Sequence, residues 1–181
     1  MREIILPERK PALEWVRGRA LQKVSPQRKH GRAQARFATA LDAWATARGL
    51  GEVATEWDFR LKPPGEIRRP LVPDVAYLSY ARLPYKNEAA ADIPRIAPDA
   101  VVEVLSPRDR KRDIEDKIRV YLACGTSVIF LVATEREIVT ARDEKDVRTF
   151  SRGDTVCHAG LPGFRLPVAM LFDRPHPKTG T

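Results

Sequence analysis

Thiol chemistry has little to work with in this chain, whose only cysteines are Cys124 and Cys157. They form neither a ligand-spaced pair nor a disulfide framework, which fits a reducing compartment and a cytoplasmic location. Histidine is equally scarce. His30, His158 and His176 are scattered, so no histidine-based metal set is expected and each reads as a surface or structural residue. No segment nears the roughly 20 apolar residues of a membrane helix, and the N-terminal M-R-E-I-I-L-P-E-R-K has no apolar signal core. A membrane partner is therefore not expected. Walker loops, G-x-G-x-x-G, G-x-S-x-G and H-E-x-x-H are all missing, which sets aside the common nucleotide-binding, esterase and zinc-protease signatures. Internal repeats and low-complexity tracts are absent as well.

What is present suits one globular domain. With 181 residues, 43% of them hydrophobic, the chain can bury a real core. We read an N-terminal arm over 1–10, a single domain over 11–172 and a C-terminal tail over 173–181. Lys and Arg total 32 against 24 Asp and Glu, a formal net charge of +8. That balance favours a polyanionic partner such as nucleic acid, although a generally basic surface would give the same number.

Taken in order, Ala12 to Val24 reads as a hairpin or as a short helix followed by a strand, ended by Ser25-Pro26. Ala33, Phe37, Ala40, Leu41 and Trp44 then recur at helical spacing and predict a helix over about 32–48, closed by Gly49. Gly51 to Leu61 alternates as one strand carrying Glu56, and Pro63-Pro64-Gly65 is a turn. L-V-P-D-V-A-Y-L is a further short strand, with Asp74 near its start. Tyr80 to Ile96 is polar and proline-punctuated, a long loop. Asp99 to Leu105 is apolar on both alternating sets apart from Glu103, the pattern of a central strand covered on both faces. Ser106 and Asp109 resemble a capping box for a helix over about 110–124, with Ile114, Ile118, Tyr121 and Leu122 on its core stripe. Strands over 127–133, 137–141 and 147–150 follow, then a turn and a short apolar helix. The element order predicts an α/β or α+β fold with a mixed sheet.

One constellation stands out. An ionisable group inside a buried strand needs a partner or a metal, which makes Glu103 the first residue to explain. If the strands bearing Asp74 and Glu103 are neighbours, both acids can point to one spot. Lys117 lies on the border of the following helix's buried stripe. Carboxylates with a backbone carbonyl and waters form the oxygen-only pattern of Mg²⁺ at a phosphodiester, with Mn²⁺ as a substitute, and an ammonium beside them would stabilise charge or orient a water. Arg108, Arg110, Lys111 and Arg112, next to the strand end, would hold the phosphate backbone of DNA. Each residue also has a plainer reading. Asp74 alone could be a turn residue, Lys117 an i, i+4 partner of Asp113, and the basic run a solvated helix entry.

P-D-V-A-Y-L at Pro73 to Leu78, A-P-D-A-V-V-E-V-L-S-P at Ala97 to Pro107 and R-D-x-x-x-K-x-x-x-Y-L-x-x-G at Arg112 to Gly125 together resemble the Uma2 family of the PD-(D/E)XK nuclease superfamily. E-W-V-R-G near Glu14, S-P-Q-R-K-H at Ser25 to His30 and L-P-G-F-R-L-P at Leu161 to Pro167 extend the resemblance over most of the chain. It implies a restriction-endonuclease-like α/β fold, a central mixed β-sheet flanked by helices, and a Mg²⁺-dependent endonuclease acting on DNA. Within it Asp74 is the acid of the P-D motif and Glu103 that of the (D/E)-x-K motif. Leu105 stands where the superfamily lysine usually falls, and the resemblance moves that lysine to Lys117. Gly18-Arg19 departs from the pattern, because relatives commonly carry an acid after this glycine. Glu56 or water would have to substitute, or the site is impaired and the chain is a nucleic-acid-binding or partner-binding domain. A homodimer is expected if both strands of a duplex are cut.

Overall fold

The computed structural model describes residues 3–23 and 27–174. Ser25-Pro26, His176 and the tail from 175 onward lie outside the described residues. The chain opens with a hairpin of β1 (Leu13–Val16) and β2 (Arg19–Gln22), turned by Arg17 and Gly18, both at positive φ. Helix α1 (Arg28–Thr46) follows, starting a turn earlier than its apolar spacing predicts because Arg28 to Gly31 extend it without adding to the stripe.

The predicted strand over Gly51 to Leu61 is two strands, β3 (Gly51–Thr55) and β4 (Phe59–Leu61). Glu56 takes a left-handed φ of 52° between them, so it lies at a break and not on a strand. Alternation persists across the break, which is why the sequence pattern hides it. Next come β5 (Arg69–Leu71) and β6 (Val75–Ser79), and the long loop carries one short helix, α2 (Glu88–Ala91). Strand β7 (Ala100–Leu105) leads into α3 (Lys111–Ala123). Asp109 accepts a hydrogen bond from the Ser106 amide at 2.7 Å, but this closes a turn ahead of the helix, whose N-cap Arg110 makes no side-chain cap. Strands β8 (Val128–Ala133), β9 (Ile138–Arg142) and β10 (Val147–Phe150) complete the main sheet. Then β11 (Thr155–Val156), β12 (Leu166–Pro167) and α4 (Val168–Phe172) end the described chain.

The central sheet runs β10-β9-β8-β7-β6-β3, parallel between β7 and β8 and antiparallel elsewhere, so it is mixed as expected. Strand β7 sits inside it and is covered on both faces. Val75, Tyr77, Ala100, Val102 and Val104 meet Phe37, Leu41 and Trp44 of α1. The alternate residues Ala76, Leu78 and Val101 meet Ile118 and Tyr121 of α3, together with Val16 of the hairpin and Phe59, Leu61 and Leu71. Because side chains alternate across a strand, Glu103 falls in the second set and Asp74 continues the parity of Ala76 and Leu78.

Two features of this frame predict measurable effects. A Cβ on Gly51 would lie 2.2 Å from the Leu78 carbonyl oxygen across the β3–β6 pair. Gly51→Ala is expected to lower stability by about 1–3 kcal/mol as the strands separate, read as a lower urea midpoint. Asp116 joins three elements, accepting from the Arg17 amide at 3.1 Å, Arg69 at 2.9 Å and Arg119 at 2.9 Å. Burial opposes its ionisation, but the hydrogen bonds from Arg69 and Arg119 outweigh that and hold its pKa below 3.8. A depressed carboxylate stabilises the fold above its unfolded pKa and loses that contribution as pH falls through the folded value. Asp116→Asn should therefore cost about 1–2 kcal/mol at pH 7 and progressively less in acid. Urea melts of both proteins across the acid range check this, and a deficit independent of pH would contradict it.

Candidate active site

Strand register brings the two predicted acids together. In β6 and β7, Val75 pairs with Val102, Ala76 with Val101 and Tyr77 with Ala100. One further step puts Asp74 across from Glu103, and directly opposed residues of an antiparallel pair have Cβ atoms about 5 Å apart. The Val104 amide donates to Asp74 Oδ2 at 2.7 Å and fixes that carboxylate against β7. Both acids are buried, Asp74 at 2% and Glu103 at 5% exposure.

Lys117 projects into the same place from α3. The helix turns Asp113, Lys117 and Tyr121 toward the sheet at i, i+4, i+8, beside the apolar stripe. Lys117 Nζ lies 2.7 Å from the Glu103 carboxylate and 3.0 Å from that of Glu14, while the Tyr121 hydroxyl donates to Glu103 Oε1 at 3.2 Å. The plainer reading of Lys117 as a partner of Asp113 does not hold. Asp113 faces Arg19 at 2.7 Å and Arg17 at 3.6 Å, at the turn of the hairpin.

Three further residues of the cluster escaped sequence reasoning. Glu14, at 3% exposure, accepts from the Val72 amide at 2.8 Å and from Lys117. It shares the buried parity of Val16, a signal available only once the segment is known to be a hairpin. Lys23 Nζ sits 2.7 Å from Asp74 and 2.9 Å from Glu56, and donates to the Val72 carbonyl at 3.0 Å. His30, expected at the surface or in a structural role, instead has Nε2 3.4 Å from Asp74 Oδ2, and its buried Nδ1 has no partner among the described residues. Glu14, Lys23, His30, Asp74, Glu103 and Lys117 line one cleft of about 310 Å³.

Of the basic run, Arg108 and Arg110 reach the rim of this cleft. Lys111 and Arg112 are exposed on the first turn of α3 and do not line it. Leu105 also lines the cleft, on the face where a lysine two residues after Glu103 would stand. Glu56 does not line it. Its carboxylate is engaged by Lys23 and by Gln34 Nε2 at 3.1 Å, and these two side chains link it to Asp74, Lys23 at the carboxylate and Gln34 at the backbone carbonyl.

The charges are nearly balanced: carboxylates at Asp74, Glu103 and Glu14 face ammonium groups at Lys23 and Lys117, with His30 as a further titratable group. Burial would raise the Asp74 pKa, but the His30 hydrogen bond and the Lys23 charge prevail and hold it well below the usual carboxylate range. Burial works the other way on Glu103, aided by Glu14 and Asp74, and pushes it up to about 7 despite Lys117. For Lys117, burial disfavours the ammonium, but Glu103, Glu14 and Asp74 outweigh it and its pKa rises. Lys117 is thus a fixed positive charge at neutral pH.

As a donor set, Asp74 and Glu103 offer only oxygen, the chemistry of a hard cation. Mg²⁺ keeps several waters and is commonly held through one or two carboxylates, so these two residues suit it. No cluster of three or more His, Cys, Asp or Glu able to hold a metal occurs among the described residues.

Comparisons with known proteins bear on the family and the fold. The Uma2 family model, described as "Putative restriction endonuclease", matches residues 3–169. A crystal structure described as a putative nuclease belonging to DUF820 from Anabaena variabilis superposes with a TM-score of 0.78 at 24% identity, covering 92% of this chain and 93% of that one. At that identity the likeness carries the fold. No curated protein matches the chain.

Proposed function

The chain belongs to the Uma2 family, and from that premise we propose that it is a metal-dependent endodeoxyribonuclease hydrolysing phosphodiester bonds in DNA. The observation that carries this reading is the pairing of Asp74 and Glu103 across adjacent strands with the Lys117 ammonium beside them in one cleft. Mg²⁺, or Mn²⁺ in its place, would be held by Asp74 and Glu103 and would supply Lewis acidity toward the phosphoryl oxygens.

The chain's own residues do the rest. Lys117, kept protonated by its carboxylate neighbours, is suited to donate hydrogen bonds and stabilise negative charge developing on the phosphate, and unsuited to abstract a proton. Glu14 orients it from the hairpin, itself anchored on the Val72 amide. Tyr121 fixes the Glu103 rotamer from behind. Arg108 and Arg110 at the rim hold backbone phosphates without reading sequence.

Incubating purified protein with plasmid DNA and Mg²⁺ should convert supercoiled to nicked or linear product, and EDTA should stop the conversion. A wild-type protein that leaves the plasmid intact with both Mg²⁺ and Mn²⁺ would sink the reading. One observation favours a second reading, a DNA-binding domain with an impaired site: Arg19 lines the cleft at the position after Gly18, where the family resemblance implies an acid. Calorimetric titration separates the two, since an impaired site binds neither cation while duplex binding persists with steep salt dependence.

A further inference from the structure

Away from the cleft, positive charge is concentrated at the start of α1. Arg28, Arg32 and Arg36 follow at i, i+4, i+8 along one flank beside the core stripe, and Lys29 joins them. Like charges at this spacing oppose helix formation, and cations at a helix N-terminus oppose its dipole. The first turn contains no acid and Gln27 supplies no side-chain cap, so nothing local offsets the repulsion. Tertiary neighbours offset little of it. Lys29 meets Glu135 at 3.0 Å, but Arg32 and Arg36 donate to the Asp173 and Met170 backbone carbonyls, and Arg28 makes no ion pair among the described residues. The Arg32 guanidinium is drawn below its ordinary pKa, by desolvation first and then by Arg36, Arg28 and Arg174.

Arg28, Lys29 and Arg32 of this flank line a cavity of about 900 Å³ together with Leu171 and Phe172 of α4 and with Arg152, which is paired with Glu137 at 2.6 Å and with Asp173 and so is partly neutralised. Lys29 and Thr134 line both this cavity and the Asp74–Glu103 cleft, so the two adjoin. Four residues of helix advance about 6 Å, which spreads the three arginines over about 12 Å. A small anion could engage one of the arginines that line the cavity, whereas a chain of phosphates could engage several.

We propose that this basic cavity seats the DNA phosphate backbone flanking the bond to be cut, with Arg28, Lys29, Arg32 and Arg152 as its contacts. The assignment rests on the nuclease reading of the adjoining cleft. Fluorescence anisotropy of a short labelled duplex in EDTA reads binding without cleavage. The Arg28→Ala, Arg32→Ala, Arg152→Ala triple variant should bind at least about tenfold more weakly. Its salt slope should fall by about 2–3, because each phosphate that is no longer neutralised removes about 0.9 from the slope. Replacing the same arginines by lysine should retain most of the slope. If the triple variant proves misfolded by circular dichroism, Arg28→Glu alone, at an exposed position, should weaken binding in the same direction.

Equal affinity and slope for wild type and folded variants would overturn this assignment and leave the nuclease reading standing. Binding that depends on the arginines, in a wild type that never cuts plasmid with Mg²⁺ or Mn²⁺, would sustain the surface and overturn the nuclease reading. A wild type that binds no duplex at low salt overturns both.

Discussion

Replacing Lys117 with methionine should destabilise the protein by about 3–5 kcal/mol near pH 8, because it removes one partner of a buried ionic cluster and leaves the other charges uncompensated. Methionine keeps most of the lysine stem's volume, so the loss reports the ammonium and not a cavity. Glu14 and Glu103 would face each other, both nearly excluded from water, with no cation between them. The deficit should shrink on acidification. Glu103 is already pushed up to about 7 with the ammonium present, and removing Lys117 takes away an interaction that lowers it. A carboxyl group whose folded pKa exceeds its unfolded value favours the fold at low pH and loses that contribution as pH rises through the folded value. Urea melts of both proteins between pH 5 and 8 test this. A variant within about 1 kcal/mol of wild type at pH 8 would show that Lys117 is not the counter-ion of these acids. In plasmid cleavage the same substitution should cost about a hundredfold or more, the size of effect seen when a preorganised charge at a reacting oxyanion is lost. Unchanged cleavage would remove Lys117 from the mechanism. Lys117→Arg is not a neutral control, since a guanidinium is bulkier than the ammonium it would replace at a site only 5% exposed and presents its donors in a fixed plane.

Asp74→Ala should abolish both cation binding and cleavage, the second large effect. Removing this carboxylate strips the cleft of one of the two acids suited to Mg²⁺, leaves the Val104 amide without its acceptor and takes from Lys23 the nearer of its two carboxylates. Stability should fall by about 2–4 kcal/mol, since a buried donor loses its acceptor and a largely buried ammonium keeps only Glu56 and the Val72 carbonyl. Asp74→Asn separates the two roles. An amide oxygen can still accept from Val104, so most of the stability should return, while the charge needed for a cation does not. Mn²⁺ binding followed by electron paramagnetic resonance gives a readout independent of turnover. An Asn variant that binds Mn²⁺ as wild type does would remove Asp74 from the proposed cation site.

Both predictions concern residues that the sequence picks out, yet their surroundings differ from what a linear reading supplies. Glu103 announced itself as an acid inside an apolar strand, and the strand is indeed interior, between β8 and β6. Asp74 needed the register of that pair to become its neighbour. Lys117 was placed correctly on the border of an apolar stripe, but its partner was open between Asp113 and the strand acids until α3 was docked. Glu56 looked able to replace a missing acid while Gly51 to Leu61 read as one strand. Its left-handed backbone and its pairing with Lys23 remove it from the cleft.

The sequence by itself determined the mixed α/β architecture, the interior position of β7 and the identity of Asp74, Glu103 and Lys117 as residues needing explanation. Periodicity and the cost of burying charge are local properties, legible wherever a polar residue interrupts an apolar pattern. Tertiary structure alone decided that Glu14, Lys23 and His30 complete the cluster, and that Arg19 pairs with Asp113. It also decided that Arg28 and Arg32 of α1 line a cavity next to that cleft. These depend on how the β1–β2 hairpin and α1 pack against the sheet, contacts that join residues far apart in the chain. No spacing within a segment records them, because the electrostatic balance of a buried site is set by what converges on it in space.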